Sequence, residues 1–191
     1  MAYRAHDVVT RALDVLDAHG LADLTMRRLG KELGVQPSAL YHHFANKQSL
    51  LAAVADEILT RGARPVTAER WQEQVFAICT TLRDSLLAYR DGAEVVATVH
   101  AFGLGATQPR DALSAALGQA NLKADDVSIA TRTLLHFVYG HTIDEQTHLQ
   151  ADSAGALGDE ATVGGTDRDF ASGLELILDG ITQRSASELH A

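Results

Sequence analysis

The stretch LTMRRLGKELGVQPSALYHHFANK, residues 24–47, sets a succession of backbone instructions side by side. Thr25 stands where a helix N-cap belongs, and Leu29 with Leu33 forms the buried stripe of a short helix that Gly34 ends. A turn at Gly34 and Val35 leads through Gln36 to Pro37, at a first helical position where its missing N–H costs nothing. The next short helix is predicted to run to Phe44, after which Asn46 caps a longer one carrying Leu50, Leu51, Val54, Ile58 and Leu59. Upstream, Val9, Ala12, Leu13 and Leu16 share one face of a first helix over about residues 4–19, closed by Gly20. Two short helices joined by a tight turn, within about 50 residues of helical bundle, make a helix-turn-helix.

The second short helix is too small to build a core alone, so its side chains call for another explanation. A helix that enters the major groove of DNA must be narrow and carry groups that meet both base edges and phosphates. Ser38, Tyr41, His42 and His43 fit that demand. Arg27 has the reach for a bidentate contact to guanine O6 and N7, and Lys47 near the next helix start suits a phosphate. Phe44 is expected in the small core instead.

The full chain of 191 residues, 46% hydrophobic, suffices for one sizeable domain or for a small module joined to a larger one. Cys79 is the only cysteine, which excludes an intrachain disulfide framework and points to a reducing compartment, the cytoplasm by default. The start MAYRAHDVV has no apolar signal core, and charges interrupt every apolar run well short of a membrane span. The net charge of −9 is unevenly spread. Residues 1–50 carry six Lys and Arg against five Asp and Glu, a balance of +1, which leaves −10 for the remainder. Such asymmetry is what a nucleic-acid-binding end fused to an acidic body would show.

Apolar residues recur at helical spacing through most of the chain, proline is scarce and no long strand-like alternation occurs, so the fold is expected to be all-α. Three parts are expected: a three-helix DNA-binding domain over 1–48, a linking helix over 49–65, and a larger helical effector-binding and dimerisation domain over 66–191. In the last part, helices are predicted over about 68–90, from 92, over about 110–121, over about 124–149 and over about 168–184, with 150–167 as a Gly- and Asp-rich loop.

With these residues in view, the segment 24–54 resembles the DNA-binding segment of the TetR family of bacterial repressors. RWQEQVFAICTTLRDSLLAYRDGAEVV (70–96), LLHFVYGHTIDEQTHLQ (134–150) and FASGLELILDGI (170–181) are similar to the body of the tetracycline repressors, in the same order. The resemblance implies a DNA-binding repressor that acts as a homodimer on a near-palindromic operator, its long and last helices pairing with their copies, and that is released by a small-molecule effector. It implies Arg27 as guanine reader, Thr25 as a cap at the phosphates, and Tyr41, His43 and Lys47 as contacts to backbone or thymine. Arg28, Gln36, Pro37, Ser38 and His42 complete the expected DNA-facing set.

The departures from that pattern are informative. Pro37 occupies the place of a Gln that reads adenine, and its ring offers neither donor nor acceptor, so the operator is expected to differ at that base pair; His42 replaces a Trp. The metal-ligating His of the tetracycline repressors is Val96 here, a second polar His is Ala63, and the drug-binding Asn and Phe are Ile78 and Leu82; Asp144 alone survives in kind. A valine has no lone pair for a hard cation, so a magnesium–tetracycline chelate is not the expected effector. A more apolar molecule is expected, held by Ile78, Leu82, Val96, Val99, His100, Phe102, Leu134, Phe137, His141 and Asp144. The alternative is a metal-sensing regulator, since His141, Asp144 and His148 fall on one helix face. No resident metal or cofactor is expected. No nucleophile elbow, phosphate loop or Cys/His pair points to an enzyme, and GLG at 103–105 is too short for a nucleotide fingerprint.

Overall fold

The computed structural model describes residues 3–153 and 167–188, and among them every regular element is a helix. In chain order these are α1 (Ala5–His19), α2 (Met26–Leu33), α3 (Pro37–Leu40), α4 (Lys47–Gly62), α5 (Trp71–Leu87), α6 (Gly92–Ala101), α7 (Gln108–Leu117), α8 (Ala124–Ser153) and α9 (Asp167–Glu188). Of the loop expected over 150–167, the first residues continue α8, Asp167 opens α9, and 154–166 lie outside the described residues. No described helix is long and apolar enough to cross a membrane.

The chain forms two compact units, one made of the residues up to Ala63 together with Asp84–Ala106, the other of Arg64–Arg83 together with the chain from Thr107 onward. The segment 84–106, read from the sequence as part of the effector domain, thus groups with the front end.

In the first unit α1 packs on α2 and α4, α2 on α3, and α4 on α6. The core is the apolar stripe of α1 (Val8, Ala12, Leu13, Leu16) set against Leu29 of α2, Leu40 of α3, and Leu50, Val54 and Ile58 of α4, each at most 1% exposed. At about 2 kcal/mol for each fully buried leucine, this stripe is the main source of the bundle's stability. Local chemistry sets the element ends. Arg28 N–H donates to Thr25 Oγ1 at 3.1 Å, the cap read from the sequence, and the left-handed Gly34 closes α2. A side chain at Gly30 would put its Cβ 2.9 Å from the Val35 carbonyl oxygen, so α2 meets the turn this closely only with a glycine there. Asn46 caps α4 reciprocally with Ser49: Ser49 N–H donates to Asn46 Oδ1 at 2.8 Å and Asn46 N–H to Ser49 Oγ at 3.2 Å.

α3 is shorter than its sequence suggests. It is helical only over Pro37–Leu40, and the His43 and Phe44 N–H groups fold back onto the Leu40 carbonyl at 2.9 and 3.0 Å. Phe44 turns inward to 7% exposure, and Asn46 is already extended at φ −159° to begin α4, so burial on one side and a cap on the other stop the helix after one turn.

In the second unit α7 and α9 pack on α8, a helix of 30 residues and about 45 Å. Leu134, Leu135, Val138, Leu174 and Leu178 form its interior with Val75, Cys79 and Leu82 of α5. Leucine content alone would not fix which helices meet. A buried arginine does so: Arg83 of α5 reaches Glu145 of α8 through Nε at 2.8 Å and through its terminal nitrogen at 2.5 Å, and Asp167 at the start of α9 at 2.6 Å.

Candidate nucleic-acid interface

The residues singled out at the front end lie on or beside the α2–α3 pair. Arg27, Gln36, Ser38, His42 and His43 are exposed, Tyr41 is 51% exposed, and Pro37 and Lys47 are half-buried. Tyr41 stands outside the core that Leu40 and Phe44 fill, with about half of its surface open to solvent. Thr25 uses an oxygen lone pair to cap α2, so its hydroxyl proton remains available to a phosphate. The α2 surface is a shallow depression of about 480 Å³ lined by Asp23, Thr25, Arg27, Arg28, Lys31 and Glu32.

Arg27 has no ion-pair partner among the described residues, whereas Arg28 lies 3.7 Å from Asp23 and 4.0 Å from Glu32. Part of the charge of Arg28 is therefore answered within the head, while Arg27 stands open. Lys31, one helical turn beyond Arg27, lies on the same exposed surface. It was overlooked in the sequence although its i+4 spacing from Arg27 marks it. The arrangement offers short donors on α3 and its following turn and longer cationic arms on α2 and α4, the two kinds of group that contacts to base edges and to phosphates require.

The residues expected at the effector site divide between the two units. In the first, Val96 and Val99 are at most 2% exposed, His100 is half-buried and Phe102 is 64% exposed. In the second, Leu82 and Leu134 are at most 3% exposed, Ile78, Phe137 and His141 are half-buried, and Asp144 is exposed. Phe102 and Asp144 are therefore open to solvent among the described residues. Helical periodicity places Asp144 on the polar side of α8, but Glu145, its neighbour, is the carboxylate turned inward to Arg83.

His141 is engaged by aromatic rings. Its ring lies 5.7 Å from Phe137 and 5.2 Å from Phe170, which stack on each other at 5.5 Å, and the Arg83 guanidinium sits 5.1 Å over the Phe170 ring. Among the described residues no group of three or more His, Cys, Asp or Glu is placed to hold a metal ion, so His141, Asp144 and His148 do not converge as their spacing suggested. A shared helix face is necessary for such a site, but ligands from a second element must close it.

Two features of this unit escaped the sequence reading. Thr80 Oγ1 and His141 Nε2 are buried without a hydrogen-bond partner among the described residues, a cost that an incoming polar group would relieve. The other is Arg83, a charged residue inside the unit's core that helical period alone did not mark. Burial opposes its charge, and the hydrogen bonds it donates to Glu145 and Asp167 more than offset that, so the guanidinium pKa is held above its ordinary value. Burial alone pushes the Cys79 thiol up to about 12, which makes it an unreactive packing group.

Two family descriptions match the chain: bacterial regulatory proteins of the tetR family over residues 8–54, and the tetracyclin repressor-like C-terminal domain over residues 64–163. The chain is 32% identical over 194 residues to the tetracycline repressor protein class A from transposon 1721 of Escherichia coli, with 93% of this chain and 89% of the relative covered. Among solved structures, BioQ of Mycobacterium smegmatis matches with a TM-score of 0.84 at 43% identity, over 95% of this chain and 99% of that one. A structure of BioQ with its natural double-stranded DNA operator matches with a TM-score of 0.82 at 42% identity, over 94% and 98% of the two chains. The identity to BioQ thus exceeds that to the tetracycline repressor named here.

Proposed function

As a member of the TetR family of bacterial regulatory proteins, the chain is a DNA-binding transcriptional repressor, and we propose that it binds a near-palindromic operator as a homodimer and is released by a small, largely apolar effector. The observation that carries the operator reading is the α2–α3 pair. It presents Arg27, Gln36, Ser38, Tyr41 and His43 outward on a fold shared, at 42% identity, with a protein solved on its operator. Arg27 reads guanine, Tyr41 and His43 meet thymine or backbone, and Thr25 and Lys47 hold phosphates. Pro37 leaves one base pair unread by the side chain that follows Gln36.

The homodimer is supported by the outer face of α8 and α9. There Ile129, Leu176, Ile177 and Ile181, with Leu122 just before α8, line an apolar groove of about 380 Å³ together with the Arg184–Asp126 ion pair at 2.9 Å, and Ile129 and Leu176 are 51% and 75% exposed. Exposed leucine and isoleucine in register on two neighbouring helices call for a second apolar surface, and an isologous four-helix contact supplies it. In that dimer the two α3 helices sit about 34–36 Å apart, one turn of B-DNA.

The effector reading rests on Leu82 and Leu134 as apolar wall and on Thr80 Oγ1 and His141 Nε2 as unanswered polar atoms in the same unit. The molecule is then mostly hydrocarbon with a hydrogen-bonding end. A near-complete switch requires it to favour the released state by about 5 kcal/mol. Such a regulator works in the cytoplasm, where its operator is.

Selection of bound duplexes from a random pool, followed by titration of the enriched sequence, tests the operator reading. A palindromic consensus with half-sites one turn apart and two chains per duplex is expected; no enrichment over random DNA would overturn it. Tetracycline with Mg²⁺ is expected to leave that complex intact, and release by it would overturn the assignment of an apolar effector.

A further inference from the structure

We propose that Asp17, Asp56 and Asp91 are positioning residues for operator recognition, which tie the DNA-reading head to both ends of α6 so that α6 moves as part of the head. The proposal rests on the dimeric operator reading above. Asp91 stands at the N-cap of α6 with a left-handed φ of 55°, yet its side chain makes no cap hydrogen bond there. Its Oδ2 instead accepts the N–H of Leu21, 2.7 Å away in the turn between α1 and α2. The reciprocal bond runs from the Arg90 N–H to Asp17 Oδ1 of α1 at 3.2 Å. Two carboxylates, from segments some 70 residues apart, thus each hold a backbone N–H of the other segment. Gly20 makes room for this clasp: at φ 80° it has no Cβ, and one placed there would stand 2.7 Å from Asp91 Oδ2.

The other end of α6 is tied by Asp56 of α4, whose Oδ1 accepts the N–H of Ala106 at 2.8 Å. Ala106 is fully buried and left-handed at φ 56°, a conformation that costs an alanine and persists where its surroundings hold it. Between these ties α6 packs along α4.

Chain connectivity gives the ties their consequence. The chain crosses between the two units three times, at Ala63–Arg64, Arg83–Asp84 and Ala106–Thr107, and the last two crossings bracket α6. With the ties in place the head is anchored through all three crossings. Without them α6 is held to the head by its packing along α4 alone, and the separation of two heads in a dimer spreads over a wider range. Operator sites with fixed half-site spacing are bound less well, and sites with altered spacing lose less by comparison.

The test measures affinity of the full-length protein and of its D91A, D17A and D56A variants. The duplexes are the selected operator, derivatives with one or two base pairs inserted between the half-sites, and a random duplex. D91A is expected to bind the native spacing roughly tenfold more weakly, the scale of a lost charge-assisted hydrogen bond, with its penalty for altered spacing reduced at least about threefold. Its affinity for random DNA should be unchanged. D17A and D56A should shift both readouts in the same direction by less, and D17A/D91A should exceed D91A by no more than about twofold, since both act through one clasp. D91N keeps the acceptor oxygen and should restore most of the spacing preference. Unchanged spacing preference in D91A and D56A, with or without loss of affinity, would overturn the proposal. Wild-type protein that binds its operator with no spacing preference would overturn the dimeric reading, and this one with it, before any variant is compared.

Discussion

In the first unit Arg27, Lys31, Tyr41, His42 and His43 lie at the surface while Phe44 turns into the core, and the fold is held by a leucine stripe, helix caps and carboxylate-to-backbone bonds. In the second unit the decisive charged side chain is inside: Arg83, with a 6% exposed side chain, joins α5, α8 and α9 through Glu145 and Asp167. The contrast follows from what each unit must present. A surface that meets DNA needs its donors uncommitted, so backbone groups and short side chains do the holding. A unit of long helices with similar apolar stripes has many near-equivalent packings, and one buried ionic knot selects among them.

That contrast is broken most directly at Arg83. Arg83→Ala leaves Glu145, 14% exposed, without its cation and should cost about 3–5 kcal/mol, read as a fall in the thermal unfolding midpoint. Replacing both partners, as Arg83→Met with Glu145→Leu, should recover much of the loss, because no uncompensated charge remains inside. A loss from Arg83→Ala no greater than that from a cap mutation would remove the distinction between the units.

At the surface of the head the expected effect is on recognition. Arg27→Ala should lose about 1–3 kcal/mol of discrimination at one base pair, while Lys47→Ala weakens all sequences alike and lowers the salt slope by about 1. Equal losses on operator and random DNA for both variants would sink the division between reading and positioning residues.

Smaller again is the cap. Thr25→Ala removes the acceptor for the Arg28 N–H and should cost about 1 kcal/mol, with faster hydrogen exchange in the first turn of α2. The smallest effect is expected at Cys79. Its thiol, fully buried and pushed up to about 12, stays protonated at pH 8, so iodoacetamide should label it only after denaturation. Labelling of the native protein would show that the second unit opens as readily as the head's surface does.

The two units were unequally legible. Thr25, Gly34, Pro37 and Asn46 act on residues within four positions of themselves, so the boundaries they set could be read directly. α3 was read too long because its end depends on Phe44 turning into a core that other helices build. On α8 a 30-residue periodicity marks a polar side but not which of Asp144 and Glu145 meets a partner. His141 and His148 share that difficulty: their spacing was visible, and the absence of a third converging ligand was not.

The sequence by itself determined an all-α chain, a helix-turn-helix with its caps, and the outward residues of that motif. Each of these follows from interactions within a turn or two of helix, or from one side chain's chemistry. Only the tertiary structure decided that 84–106 groups with the head, that Asp91 reaches Leu21, and that Arg83 joins Glu145 and Asp167. Those contacts span 62 to 84 residues, a separation across which helical period carries no information about which faces will meet.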